Sequence, residues 1–230
     1  MKYDLTQARK CIETLDKRRF DRALLGSGDA FRHIVSLVPL LLHLNHPALP
    51  GYVEDAPAGI ADFILSNYQQ NFLSKEHPEL VEDVQSAVNS DSVFAPILGI
   101  YVMGSFGSIS QTSASDLDIW ICHQDDLSEQ DQQRLAEKTK KITLWASTFH
   151  VEMHFYLMTQ KRFRNERYSD PLTKENSGSA QYMLLLEEFY RSAVRLSGKP
   201  LLWLHLWVED EKQYEAEVAR LVAEGELNPN

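Results

Sequence analysis

Between Ile97 and Ile121 the chain runs an apolar segment into a small-residue turn, a hydroxyl-rich loop and a second segment bearing two acids, and the remaining residues read as support for that order. Ile97 to Met103 predicts a strand that stops at Gly104-Ser105, where a missing side chain lets the backbone approach a ligand closely. In the loop, Ser105, Ser108, Ser110, Thr112, Ser113 and Ser115 supply hydroxyls and unencumbered amides able to meet the oxygens of a phosphate chain. Asp116-Leu117-Asp118-Ile119-Trp120-Ile121 then has a period of two. As a strand it places Asp116, Asp118 and Trp120 on one face and Leu117, Ile119 and Ile121 on the other.

Two carboxylates about 7 Å apart on one face repel each other and raise each other's pKa unless a cation sits between them. Magnesium suits such a pair, because it binds through one or two carboxylates plus substrate phosphates. Farther along, Val151 to Leu157 alternates again and predicts a strand with Glu152 and His154 on one face. Laid beside the Asp116 strand, it adds Glu152 as a third acid and His154 as a hydrogen-bond partner of the cluster.

The order hydrophobic-Gly-Ser, a spacer, Asp-hydrophobic-Asp-hydrophobic, with a later acid in Val151-Glu152-Met153, resembles the nucleotidyltransferase signature shared with polymerase beta. More narrowly, MGSFGSISQTSASDLDIWICHQ, EEFYRSAVRLSGKPLLW and SLVPLLLHLNHPALPGYV are similar to the amino-terminal catalytic region of the class I adenylate cyclases of enteric bacteria. That resemblance implies an α+β fold: a nucleotidyltransferase-like mixed sheet flanked by helices. It implies ATP as substrate, Mg²⁺ or Mn²⁺ as cofactor, and cyclic AMP and pyrophosphate as products. Asp116, Asp118 and Glu152 are then the catalytic and metal-holding residues, and Gly104, Ser105, Ser115, Trp120 and Lys199 the substrate-binding ones. Members of that family are several times longer, so the chain is expected to be a fragment or a short relative, with a regulatory region or partner beyond it. Two other readings keep the same fold: transfer of AMP to a separate hydroxyl acceptor, and a nucleotide-binding regulatory module without turnover.

Composition narrows the classes further. With 43% hydrophobic residues in 230, the chain can bury a core without staples, and its two cysteines, Cys11 and Cys122, have no metal-ligand spacing, as in a reduced cytoplasmic protein. A net charge of -10 argues against a nucleic-acid partner. No apolar run reaches the roughly 18 residues of a bilayer span, so no membrane insertion is expected. The absence of Gly-x-x-x-x-Gly-Lys-Ser/Thr argues against a P-loop.

The flanking segments predict a helical portion over 1–90 and the catalytic core over 91–230. Leu5, Ala8, Ile12 and Leu15 mark a first helix. Asp29 is the expected N-cap of a second, with a kink or restart near Val38 ahead of Pro39. His43 and His46 read as polar groups at a helix end. Ser128 caps a helix running to about Phe149. Lys161 to Asn176 reads as a charged loop, and a helix is expected from Ser177 to Leu196 with Gly198 closing it. On that helix Arg191, Arg195 and Lys199 form a cationic side in which Lys199 alone lacks a nearby acid. Leu201 to Val208 predicts a further strand, followed by an acidic helix.

Overall fold

Helical spacing of apolar residues accounts for the first third of the chain in the computed structural model, which describes residues 5–81, 84, 95–112, 115–159, 188–189, 191–199 and 211–224. Helix α1 spans Leu5–Leu25, α2 spans Asp29–His43 and α3 spans Asn67–Glu76. In α2, Ile34, Leu37, Val38, Leu40, Leu41 and Leu42 are fully buried. Each such side chain contributes about 1.5–3 kcal/mol relative to exposure, which makes α2 a principal anchor of the core. That burial also explains why α2 continues through Pro39 rather than restarting there. The hydrogen bond lost at a helix-interior proline is outweighed by apolar contacts on both sides of it. The N-cap of α2 is Gly28, not Asp29; Asp29 occupies the first turn, where its charge suits the helix dipole. Ser66 closes a reciprocal capping box with Gln69 at the start of α3.

Four strands follow: β1 (Ile97–Met103), β2 (Leu117–His123), β3 (Met153–Met158) and β4 (Val194–Gly198), in the order β3-β2-β1-β4. The most apolar strand, β1, takes a central place, antiparallel to both β2 and β4. Helix α4 (Glu129–Ser147) separates β2 from β3, and these two strands pair in parallel, as a helical crossover requires. Ser128 Oγ accepts from Asp131 N–H at 3.1 Å, so the sequence-predicted cap is the observed one. The α+β architecture expected from the sequence is the architecture found.

The chain divides into two compact units, Arg19–Lys199 and a second made of Met1–Arg18 with Pro200–Asn230. The boundary of the expected division into 1–90 and 91–230 lies outside the described residues. Buried residues of α2, such as Ile34 and Leu41, belong to the same hydrophobic core as Ile100, Ile119 and Met153 of the sheet. The second unit contains helix α5 (Glu211–Ala223), the acidic helix expected near the end, with Arg220 paired to Glu217 and Glu224. The expected helix from Ser177 to Leu196 is corrected at its end, because residues 194–198 are strand β4. The charged loop 161–176 and the strand over 201–208 fall outside the described residues.

Candidate active site

Sheet register brings the acids together. Met103 pairs with Asp118 across β1 and β2, and Asp118 pairs with His154 across β2 and β3. One step earlier, Leu117 N–H donates to Glu152 C=O at 3.0 Å, which fixes Glu152 beside the start of β2. The period of two therefore places Asp116, Asp118, Glu152, His154 and Tyr156 on one face at the same end of the sheet. Both predicted strands lie side by side, as the third-acid reading required.

The side chains are already partnered. Tyr156 O–H donates to Asp118 Oδ1 at 3.2 Å. His154 Nε2 lies 3.3 Å from Glu152 Oε1 and 4.0 Å from Asp116 Oδ2, so it bridges two of the acids, as expected of a hydrogen-bond partner. Burial raises the Asp118 carboxyl above the usual range; Asp116 and Glu152 push the same way, and the Tyr156 hydroxyl and His154 oppose them. Tyr156 is itself pushed up to about 12, first by burial and then by the charge and hydrogen bond of Asp118, with Asp116 and Glu188 adding to it.

The turn after β1 faces this cluster. Gly104 has φ +75, and a Cβ built on it lies 3.7 Å from Glu188 Oε1 and 3.9 Å from Asp118 Oδ2. The glycine thus sits between two carboxylates. Its N–H donates to Ser192 Oγ at 3.0 Å, and Ser192 in turn donates to Glu188 C=O at 2.7 Å. Gly107, φ +66, packs so closely on the backbone of Arg19 in α1 that a Cβ would lie 2.2 Å from the Arg19 carbonyl oxygen. Phe106 between them is buried against Phe20 and Phe31, and its carbonyl accepts from Arg19 Nη2 at 2.9 Å. Gln111 completes the attachment: it accepts from Gly107 N–H at 2.6 Å and donates to Ser27 Oγ at 3.0 Å. The loop is held by its apolar and amide side chains, while Ser110 is exposed and Ser105, Ser108 and Ser115 are half-buried.

Not every expected contributor lines the acidic face. Ser105 follows Gly104 in the turn, and its carbonyl accepts from Ser108 N–H at 2.9 Å. Ser115 Oγ accepts from Thr112 N–H at 2.9 Å, a turn within the loop. Trp120 is on the expected face but is only 1% exposed and stacks on Phe189 with ring centroids 4.6 Å apart. It is core beneath the site and does not form a wall for a ligand, because Phe189 covers it. Lys199 is corrected as well. Its N–H donates to Leu98 C=O at 2.8 Å, at the opposite end of β1 from Gly104, about 20 Å away at strand rise. Arg195 lies on β4 and donates to Gly198 C=O at 3.2 Å, so the helical cationic side does not exist. His43 accepts from Ile60 N–H at 3.0 Å and His46 from Ala48 N–H at 3.2 Å, both structural roles at a helix end.

Sequence reasoning missed Tyr156, Glu188 and Ser192. For Tyr156 the signal was present: it shares the parity of Glu152 and His154. For Glu188 and Ser192 there was none, since their approach to Gly104 depends on where β4 pairs.

As a cation site the face is partly assembled. Among the described residues no three His, Cys, Asp or Glu side chains converge at ligating distance. Asp116 and Asp118 nevertheless supply two hard oxygen donors on one face; burial first and then the charge of Asp116 raise Asp118, and a divalent ion relieves that repulsion. That donor set fits magnesium completed by substrate oxygens; the Glu152 carboxylate is engaged with His154 instead.

No helix among the described residues is long and apolar enough to cross a membrane. A family model described as the adenylate cyclase NT domain matches residues 4–204. The adenylate cyclase of Haemophilus influenzae is 64% identical over 100% of this chain and 28% of that protein. That of Pasteurella multocida is 59% identical over 96% of this chain and 27% of its own length, and that of Escherichia coli K12 40% identical over 95% and 26%. A spectinomycin adenyltransferase from Enterococcus faecialis, solved with ATP and spectinomycin, overlaps 64% of this chain and 66% of that one at 15% identity and TM-score 0.32, too loose a match to bear on the site. The chain spans between 26% and 28% of the length of these adenylate cyclases. The match over residues 4–204 and the identity carried across nearly the whole chain make this protein a member of the adenylate cyclase N-terminal domain family.

Proposed function

We propose that this chain carries the catalytic face of a cytoplasmic adenylate cyclase that converts ATP to 3′,5′-cyclic AMP and pyrophosphate on a nucleotidyltransferase-like sheet. The supporting observation is the placement of Asp118, beside Asp116 on one strand face, with Oδ2 turned toward Gly104. Asp116 and Asp118 would hold Mg²⁺ or Mn²⁺, which when bound supplies positive charge to the phosphates and acidifies a nearby hydroxyl. Gly104 and Ser105 meet the terminal phosphates, the Gly104 amide exchanging Ser192 Oγ for a phosphate oxygen. The ribose 3′-oxygen bonds to the α-phosphorus as the bond to the departing pyrophosphate breaks. Glu152, exposed and adjacent to His154, takes the hydroxyl proton. Control of turnover is assigned to regions of the longer family members beyond the segment matched here.

The test is product analysis of the chain with ATP and Mg²⁺ or Mn²⁺. Equal amounts of cyclic AMP and pyrophosphate are expected, falling by at least about a hundredfold in Asp118→Asn. Pyrophosphate without cyclic nucleotide, or an Asp118→Asn variant at full rate, defeats the proposal.

A further inference from the structure

We infer that Tyr156 is a positioning residue for Asp118, holding one carboxylate oxygen so that the other faces the Gly104 turn. The inference rests on the reading of Asp118 as a metal-holding group. It begins with register: Trp120 pairs with Tyr156, so Tyr156 stands diagonally across from Asp118 on the same sheet face. The phenolic hydroxyl donates to Oδ1, and Oδ2 is the oxygen nearest the Gly104 Cβ position. An aspartate's terminal torsion is broad and roughly two-fold, so without such a bond the carboxylate has no fixed orientation. Here the neighbours are Asp116, Glu152 and Glu188, all acidic, together with His154. Left to itself, Asp118 would turn away from the other acids.

The choice of a tyrosine has a physical reason. A lysine or arginine at this place would fix Asp118 equally well but would cancel the charge that draws a divalent ion. A neutral hydroxyl fixes the oxygen and leaves the negative charge in place. A phenol keeps its hydrogen at ordinary pH, so it remains a donor there. Loss of an outer partner of a metal ligand typically costs about 10–100-fold in metal affinity.

The experiment is titration of the chain with Mn²⁺ alone, bound ion being read by electron paramagnetic resonance, with thermal melting of each variant. Tyr156→Phe keeps the ring and is expected to weaken Mn²⁺ binding about tenfold or more. Tyr68→Phe removes a comparable hydroxyl, the one bonded to His33, and is expected to leave Mn²⁺ binding unchanged. In an Asp118→Asn background the Tyr156→Phe change is expected to add nothing, since its effect passes through that carboxylate. Equal binding by wild type and Tyr156→Phe, with loss in Asp118→Asn, overturns the positioning role and leaves the metal reading standing. An equal loss from Tyr156→Phe in both backgrounds marks a general structural defect and also overturns it. Wild-type binding retained in Asp118→Asn removes the metal reading, and this inference with it.

Discussion

Alanine at Gly107 should detach the loop that follows the Gly104 turn, and the structure sets the size of the effect. Gly107 has φ +66, which costs an L-residue roughly 1–2 kcal/mol. The added Cβ would also lie 2.2, 2.6 and 2.8 Å from the Arg19 carbonyl oxygen, carbonyl carbon and Cα. These are backbone atoms of a helix and cannot rotate aside, so overpacking adds about 1–3 kcal/mol. Relief requires the loop to lift from α1, which forfeits the Arg19–Phe106 hydrogen bond and part of the Phe106 burial. The expected total is about 3–5 kcal/mol. Gly104→Ala supplies the internal comparison. Its φ is similar, +75, but its Cβ would meet only carboxylate oxygens at 3.7 and 3.9 Å, so the expected loss is about 1 kcal/mol. Urea unfolding of both variants measures the difference. If Gly107→Ala loses no more stability than Gly104→Ala, the loop is not held on α1 as described.

Two further predictions concern buried titratable groups. His43 stacks on Phe63 and accepts Ile60 N–H through Nδ1, and burial holds its pKa down to about 4. Protonation would put a hydrogen on Nδ1 against that N–H, so stability is full above the unfolded value of about 6.5 and falls as the pH drops toward 4, by about 3 kcal/mol. Urea midpoints across this range should fall more steeply for wild type than for His43→Asn, which keeps an acceptor but cannot titrate; parallel curves would refute the assignment. Lys138, 1% exposed, donates to Leu44 C=O and Asn45 Oδ1, and burial lowers its pKa to about 8. Because the unfolded chain then binds more protons, stability should rise between about pH 8 and 10.5, by up to roughly 3 kcal/mol less what the two acceptors return to the charged form. The rise should disappear in Lys138→Met, and a rise that persists there argues against it.

The features legible in the sequence were those governed by local geometry. Parity along a strand placed Asp116 with Asp118 and Glu152 with His154, a hydroxyl ahead of an apolar stripe marked the Ser128 cap, and the apolar run at Ile97 marked the strand that lies inside the sheet. What the sequence left open depended on partners distant along the chain. Nothing near Trp120 announces that Phe189 will cover it, and nothing near Lys199 announces that it will bond to Leu98 at the far end of β1. Helical spacing from Glu187 to Lys199 gave a false cationic face because pairing with β1 outweighs the local propensity of residues 194–198. Strand order, the two carboxylates flanking Gly104 and the tyrosine on Asp118 are set by the sheet's pairing and one shared core. Side-chain direction is a property of neighbouring residues, whereas proximity is a property of the packed whole.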